Sequence, residues 1–454
     1  MKMNRRHFSM LLTSVAFAGF AAQQGLAVEQ SAVGYGALKK DPNGLLDLPE
    51  GFSYTVISEL GSTMSDGHKV PDRADGMGCI PLSETKVALV RNHELSVPHP
   101  VDGDPEKLAE LTTQAFDTFK TGAPLGGGTT TLIYDMTTER VEREFISLIG
   151  TIRNCSGGIT PWGSWLTCEE NTSVAGDMIK KDHGWVFEVP ATATGPVDPV
   201  PLKGLGRFNH EAAAVDPDTG IVYLTEDRND SLFYRFIPKT KGKLSEGGQL
   251  QAMVYKDKDQ KADSRNWGFF GRTWKQGDWL DAEWINLEDV ESPKDDLREQ
   301  GHKQGGVLFA RGEGIHWGDG ELYFCCTSGG SEKLGQIIRY VPGTASAGQK
   351  SADVGGRVQL FVESNDPKKF NYGDNLTVAP NGHLFVCEDQ YTDTVRNSIV
   401  GVTKDGALYQ FGRILLQTEP AGACFSPDGS TMFVNLYSPT RTLAIKGPWD
   451  SVKA

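Results

Sequence analysis

The sequence predicts an all-β protein: a six-bladed β-propeller with long inserted loops and a short helix. The 454-residue chain contains 53 glycines without a collagen period, a composition that is typical of tight turns between short strands. Six segments are predicted as β-hairpins, in which two apolar runs flank a turn. Recurrence of such units along the chain is typical of propellers, whose radial repetition leaves only short sheet edges.

The six predicted hairpins follow one another from the first quarter of the chain to its end. The clearest are the third, which closes with Glu226-Asp227, and the fifth, which closes with Glu388-Asp389. The spacing is uneven, which fits loops inserted on one face and argues against a WD repeat. A pair of β-sandwich domains is the alternative architecture. The hairpins start at Asp75, Gly157, Glu211, Glu313, Asp374 and Gly422.

The longest insertion lies between Arg228 and Arg311, and a short helix is predicted in it near Ser292-Pro293. A loop of this length in a compact domain is usually functional or disordered. Its tryptophans favour an ordered cover over the channel, and the alternative is a packed edge element without contact to substrate. The tryptophans are Trp267, Trp274, Trp279 and Trp284.

The N-terminus predicts an export signal. Arg5-Arg6 precede an apolar run, Met10 to Ala22, which is too short for a membrane span of about 20 residues. This pattern indicates a twin-arginine signal peptide over residues 1–27, with an ordinary secretion signal as the alternative. Residues 28–454 are then a single propeller domain. We expect a monomer that is delivered by the twin-arginine export machinery to the periplasm or outside the cell, with no membrane span.

Charge and cysteine content narrow the function. The chain has 45 Lys and Arg against 59 Asp and Glu, a net charge of −14. This excess argues against nucleic acid as a partner, because binding to phosphates needs clustered cations. An acidic surface suits metal cations instead. Seven cysteines in an oxidising compartment leave at least one thiol without an intramolecular partner.

Hairpin geometry predicts where the acidic residues meet. A hairpin returns the chain to its start, so the residue that opens the first strand and the one that closes the second lie on the same rim. In a propeller these rims surround one mouth of the central channel. Carboxylate oxygens at Asp374 and Glu388 would complete a ring of oxygen ligands, of which calcium binds six to eight. Whether Asp389 belongs to this ring is open.

The segment from Asn154 to Asn171 carries the most specific motif. Gly157-Gly158 let the backbone turn sharply after Cys155, which directs the sulfur towards the mouth, where Glu169 and Glu170 return. A thiolate beside carboxylates favours a transition metal, whereas oxygen ligands alone favour calcium or magnesium. A buried, inert cysteine is the alternative interpretation.

Two Asn-His-Glu triplets lie at equivalent hairpin ends, one ending at Glu94 and the other at Glu211. The glutamates are the first candidates for ligands, and contacts of Asn92, His93, Glu94 and His210 with the site stay open. Glu313 is flanked by glycine, and Arg311 offers a guanidinium fork suited to phosphate. A surface ion pair is the alternative for Arg311.

From Asn154-Cys155-Ser156-Gly157-Gly158 through Glu169-Glu170, and again at Gly206 to Glu211, the sequence resembles the PhoX family of bacterial alkaline phosphatases. The resemblance implies a six-bladed propeller exported by the twin-arginine route, with Fe³⁺ and Ca²⁺ ions that act on small phosphate monoesters. Cys155 then resembles the iron-binding cysteine, and Arg311 a phosphate-binding arginine. Metal-bridging carboxylates are implied at Glu170, Glu211 and Glu313, and later ligands at Asp374 and Glu388.

The expected function is therefore a secreted metal-dependent phosphatase in which Arg311 and Glu211 are catalytic. Bound cations would neutralise phosphate oxygens and supply the nucleophile, so no nucleophilic side chain is needed. Two alternatives remain. A calcium-only propeller hydrolase of the lactonase or phosphotriesterase type would need only Glu211, Asn209 and Asn375. A non-catalytic propeller would use the same rim for protein contacts.

Overall fold

The computed structural model describes residues 33–97, 99, 105–268, 274–345, 353–390 and 396–453. The predicted signal peptide, residues 1–27, lies outside them. The described residues form 26 strands and two α-helices, which confirms the all-β prediction. None of their helices has the length and apolar character that crossing a membrane requires.

The strands, in chain order, are β1 Leu38–Lys39, β2 Leu46–Pro49, β3 Ser53–Glu59, β4 Ala74–Pro81, β5 Lys86–His93, β6 Gly127–Asp135, β7 Arg140–Thr151, β8 Asn154–Ile159, β9 Ser164–Glu169, β10 Val186–Pro190, β11 His210–Val215, β12 Val222–Glu226, β13 Tyr234–Pro238, β14 Gly248–Tyr255, β15 Trp279–Asn286, β16 Gly312–Gly318, β17 Glu321–Cys326, β18 Gln336–Pro342, β19 Gly356–Glu363, β20 Gly373–Val378, β21 Leu384–Glu388, β22 Ser398–Val402, β23 Leu408–Ile414, β24 Pro420–Phe425, β25 Thr431–Leu436 and β26 Arg441–Lys446. The helices are α1 Pro105–Glu110 and α2 Leu297–Lys303.

The strands form five antiparallel sheets in a propeller-like arrangement. Their orders are β4-β5-β6-β7, β8-β9-β10, β20-β21-β22-β23-β2-β1, β24-β25-β26-β3 and a nine-stranded sheet, β11-β12-β13-β14-β15-β19-β18-β17-β16. The hydrogen-bonded sheets therefore number five rather than the predicted six, because β15 pairs with both β14 and β19 and joins two four-stranded units. Strand β3, near the N-terminus, completes the sheet of β24 to β26.

The first strand of each predicted hairpin lies innermost, and these strands pack side by side in a closed ring. The order around the ring is β4, β8, β11, β16, β20 and β24, and β24 packs against β4 again. Hydrophobic clusters fill the space between neighbouring sheets; one joins Met77 and Tyr134 to Cys424 and Phe433. The six inner strands thus enclose the centre of the propeller-like arrangement.

A β-bulge recurs at the same place in all six inner strands. The register shifts between Ala74/Met77, Asn154/Gly157, His210/Ala213, Gly312/Ile315, Gly373/Leu376 and Ala421/Cys424. A bulge adds a residue to one strand and redirects its side chain. The first residue inside each bulge is, in order, Asp75, Cys155, Glu211, Glu313, Asp374 and Gly422. The repeat thus presents five ligand-type side chains and one glycine.

The long insertion differs in two respects from its prediction. Helix α2 begins at Leu297 instead of near Ser292-Pro293, because Ser292 (φ 33°) and Asp295 (φ 55°) adopt left-handed backbone that a helix cannot include. Trp274 is buried, and Trp284 packs against Phe233 in the core. Much of the insertion is therefore sheet and core instead of a cover.

Candidate metal centre and active site

Two groups of ligand-type side chains come together from the inner strands and the segments that follow β5 and β9. In each group the candidate ligand atoms all lie within 4.8 Å of one another. The groups are joined, because the Cys155 Sγ lies 3.3 Å from Glu211 Oε1. One group contains Glu94, Cys155 and Glu170, and the other contains Glu211, Glu313 and Asp374.

Asp75, on the first inner strand β4, extends the cluster towards the sixth inner strand, β24. The Cys155 Sγ lies 3.5 Å from Asp75 Oδ2, and Asn375 Nδ2 donates to Asp75 Oδ1 at 3.5 Å. All five bulge side chains, from Asp75 to Asp374, therefore converge, as the inner-strand repeat dictates. Gly422 contributes no side chain, and its backbone N–H donates to Asn375 Oδ1 at 3.1 Å.

Burial and mutual repulsion disfavour the charged forms of these groups. Burial raises the pKa of Glu211, and the charges of Glu313 and Asp374 raise it further. Burial and the charge of Asp389 raise the pKa of Asp374 to about 7. Burial, with the charges of Asp75 and Glu211, also raises the pKa of the Cys155 thiol. Such crowding of acidic groups is typical of sites in which cations supply the missing positive charge.

The donor set fits metal ions. Among the described residues, Glu211 Oε2 and Asp374 Oδ1 are buried without a hydrogen-bond partner. Buried carboxylate oxygens are normally paired or bound to a metal. The thiol of Cys155 adds a soft donor on one side, whereas the other side offers only oxygen.

Arg311 lies beside the second group. Its Nε and Nη2 donate to Asp227 Oδ1 and Oδ2 at 2.7 and 2.9 Å, and Nη2 lies 2.8 Å from Glu313 Oε1. The charge of Glu313 raises the pKa of Arg311, burial opposes this, and Asp227 reinforces it. The side chain keeps 28% of its surface exposed, so it is partly open to solvent while it stays anchored.

Arg153 occupies the equivalent place beside the first group, and the sequence interpretation did not single it out. Its Nη2 lies 2.5 Å from Glu94 Oε1 and 2.6 Å from Glu170 Oε2. Both arginines precede a bulge residue by two positions and have left-handed backbone, with φ of 48° for Arg153 and 56° for Arg311. The spacing Arg-x-Cys155 and Arg-x-Glu313 was the sequence signal that could have found it.

Two predicted ligands lie outside the cluster. The carboxylate of Glu169 accepts hydrogen bonds from the backbone of Ile152, Gly184 and Trp185 and from His183 Nδ1. Burial disfavours charge on His183, but Glu169 and Asp117 outweigh it and raise its pKa to about 9. Glu169 therefore holds the chain around the site instead of facing the channel.

Glu388 is engaged in the same way. Its Oε1 accepts from the backbone N–H of Asn371, and its Oε2 from that of Ser398 and from the side chain of Gln390. Its neighbour Asp389 is the residue whose charge acts on Asp374. The member of this pair that acts on the cluster is therefore Asp389, which the sequence interpretation left open.

The Asn-His-Glu triplets divide into members of the two ligand-type groups and residues that support them. Asn92 donates to the carbonyl oxygens of Cys155 and Ser156 and so fixes the strand that carries the thiol. His93 contacts the Asp72 carbonyl and Thr130, and His210 the Gly206 carbonyl. Burial lowers the pKa of His210 to about 3. Among the triplet residues, the glutamates Glu94 and Glu211 belong to the ligand groups.

A propeller-like channel with clustered acids, one thiol and anchored arginines at its mouth defines a class of metal-dependent propeller enzyme. The chain belongs to the alkaline phosphatase PhoX family, whose model matches residues 33–440. It is therefore a phosphatase, and the resemblance found in the sequence is confirmed. No curated protein matches the chain.

Among solved structures, the chain is similar to Pseudomonas fluorescens PhoX in complex with vanadate, a transition state analogue. The TM-score is 0.66 at 18% sequence identity, and the match covers 92% of this chain and 98% of that chain. A gluconolactonase from Xanthomonas campestris, XC5397, matches with a TM-score of 0.43 at 11% identity over 88% of this chain and 97% of that chain. The first likeness supports the propeller fold.

Proposed function

We propose that the protein hydrolyses small phosphate monoesters at a cluster of Fe³⁺ and Ca²⁺ ions in the channel mouth of a six-bladed propeller. The observation that carries this proposal is the convergence of five bulge side chains, four acids and one thiol, on one buried place beside Arg311. Convergent acids without compensating charge would repel one another, so the arrangement favours bound cations.

The count of six blades rests on the ring of inner strands. Six strands carry the same bulge and pack in a closed ring. The nine-stranded sheet then counts as two blades, β11 to β14 and β16 to β19, which are bridged by β15. This interpretation gives one ligand position in each blade except the sixth, where Gly422 stands.

Iron and calcium would bind to different residues of the cluster. Cys155, with Glu94 and Glu170 near it, offers sulfur and suits iron, and Glu211 connects this group to Glu313 and Asp374. Asp75, Asp374 and Asp389 offer oxygen alone, as calcium prefers. Metal ions in such a site stabilise the charge of a phosphoryl group and activate water as the nucleophile.

The chain's own residues position the substrate. Arg311 has five N–H donors in a planar fork, a geometry that matches phosphate oxygens. Asp227 holds two of these nitrogens, so the guanidinium meets the substrate already oriented, which reduces the entropy lost on binding. Arg153 brings a second positive charge to the opposite group of acids and limits their repulsion. Glu211 lies within reach of both groups, and we therefore keep it as a catalytic residue.

The proposal includes the route of the protein to its site of action. Residues 1–27 are proposed as a twin-arginine signal peptide that directs a monomeric propeller, residues 28–454, to the periplasm or the cell exterior. Two features of the sequence support this proposal, the Arg5-Arg6 pair and the short apolar run that follows it.

The substitution Glu211→Gln tests the proposal, because it keeps the shape of the side chain and removes the charge that joins the two groups. We expect release of phosphate from an aryl phosphate to fall by about a hundredfold or more, with unchanged circular dichroism. Full activity in this variant would contradict the assignment. Elemental analysis of the exported protein separates the alternatives: calcium without iron favours a calcium-only hydrolase, and an intact metal-free protein without hydrolysis favours a binding propeller.

A further inference from the structure

Of the tryptophans in the long insertion, Trp267 contacts the segment whose backbone pairs with Arg311. Its indole Nε1 donates to the carbonyl oxygen of Ser328 at 2.7 Å. Ser328 follows Thr327, whose backbone N–H donates to the carbonyl oxygen of Arg311 at 3.0 Å. Consecutive Cα atoms are about 3.8 Å apart. The indole is therefore bound to the residue next to Thr327, which itself contacts the backbone of the proposed phosphate-binding arginine.

Two cations contact the indole of Trp267, and they differ in the contacts that hold them. The guanidinium of Arg265 lies 4.8 Å from the ring centre and is fixed by Asp263 and by the carbonyl oxygen of Asn229. The amine of Lys333 lies 4.8 Å from the ring centre, and this residue is exposed to solvent. Arg265 thus holds the ring in place, whereas Lys333 can move away when another group approaches.

We propose that Trp267 and Lys333 form a subsite for the leaving group of the substrate, with a preference for phosphate esters that carry a flat ring, such as nucleoside monophosphates and aryl phosphates. This inference rests on the proposed phosphatase function. A ring that stacks on the indole displaces the Lys333 amine from the ring to a polar group of the leaving group. The phosphoryl group remains with Arg311 and the metal centre.

Aromatic stacking is the physical basis of the proposed substrate preference. Stacking of a base on an aromatic side chain is sequence-tolerant, because each base presents a π-face. A cation beside the stack adds attraction for the electron-rich ring or for an anionic substituent. A small aliphatic ester such as glycerol phosphate has no ring to stack and gains nothing from the subsite. The subsite therefore affects the choice of substrate and not the chemical step.

The test compares two classes of substrate in the metal-loaded enzyme. In Trp267→Ala we expect KM for adenosine monophosphate and for 4-nitrophenyl phosphate to rise about tenfold, the scale of one stacked base. For glycerol phosphate, kcat/KM should stay within about twofold of wild type, and Trp267→Phe should restore most of the loss because it keeps a stacking face. Trp279→Ala is the matched control, because Trp279 also contacts two cations, Arg339 and Arg357, but belongs to β15.

The outcomes separate this inference from the proposed function. An equal loss for ring-bearing and aliphatic esters, or no loss at all, overturns the subsite. If wild type hydrolyses none of the esters, the proposed function fails, and equilibrium binding of adenosine monophosphate then decides the subsite. Weaker binding by Trp267→Ala than by Trp279→Ala supports it, and equal binding by the two variants overturns it.

Discussion

At the scale of single residues, side-chain alternation decides which acids reach the channel. Residues directly paired with an inner strand, such as Glu169 with Asn154 and Glu388 with Gly373, point away from the channel. The next residue points the other way, because successive side chains in a strand face opposite sides. Glu170 therefore meets Arg153, and Asp389 acts on Asp374.

The pair Glu169 and Glu170 gives a test of this alternation. Glu169→Gln should lower the free energy of unfolding by about 1–3 kcal/mol, because it disturbs a carboxylate that satisfies buried donors. Glu170→Gln should leave the metal-free protein at least as stable, because burial and the charge of Asp227 outweigh Arg153 and raise the pKa of Glu170. Its metal content should fall instead.

Urea denaturation in chelator, together with elemental analysis of the loaded proteins, measures both effects. Loss of bound metal in Glu169→Gln with Glu170→Gln unaffected would reverse the assignment of the two side chains.

At the scale of structural elements, the repeated bulge and its exception at Gly422 shape the site. Gly422 has φ of +59°, and a Cβ at this position would lie 2.3 Å from the carbonyl oxygen of Asp75 and 2.8 Å from the backbone nitrogen of Met77. Asn435 Nδ2 donates to the same carbonyl oxygen at 2.6 Å. The sixth strand can therefore approach the first closely only without a side chain at the bulge.

Gly422→Ala tests this close approach, with Gly163→Ala as the control. Gly163 also has positive φ, 85°, but an added Cβ would meet nothing within 4 Å. The control should lose about 1 kcal/mol of unfolding free energy from its left-handed backbone. Gly422→Ala should lose about 3 kcal/mol, because overpacking adds to the same backbone cost. Equal losses in denaturant titrations would show that the ring relaxes around the methyl group.

At the scale of the whole molecule, a chain with net charge −14 gathers part of its acidic charge in one buried place. Without cations, folding holds Glu211, Glu313 and Asp374 together, and burial with the charges of neighbouring acids raises the pKa of each. The metal-free folded state therefore retains protons that the unfolded chain releases. By linkage, its stability falls as pH rises from the ordinary carboxyl pKa of about 4 towards about 7.

Removal of metal should consequently have a larger effect at high pH. We expect the Tm of chelator-treated protein to be lower at pH 8 than at pH 5, and added Ca²⁺ to raise it more at pH 8. Ions that bind only the folded state stabilise it by mass action. Differential scanning calorimetry at the two pH values, with and without Ca²⁺, provides the measurement. A chelated protein that is equally stable at both would argue against a compact acidic cluster.

The sequence by itself determined the hairpins and the ligand types. Glycine turns between apolar runs are local signals, and they identified the β-rich repeat, Cys155 and the bulge acids Glu211, Glu313 and Asp374. The sequence did not show which of Glu169 and Glu170 faces the cluster, because that depends on the register of pairing with the preceding strand. Arg153 and Glu94 were missed as partners because 59 residues separate them.

Only the tertiary structure decided how the units join. It placed β15 between two four-stranded units, left Gly422 as the one bulge position without a ligand-type side chain, and brought Trp267 into contact with Ser328. Turn chemistry and strand alternation act over a few residues, so they can be predicted from the sequence. The closure of the ring and the pairing of charges depend on long-range packing, which local patterns do not specify.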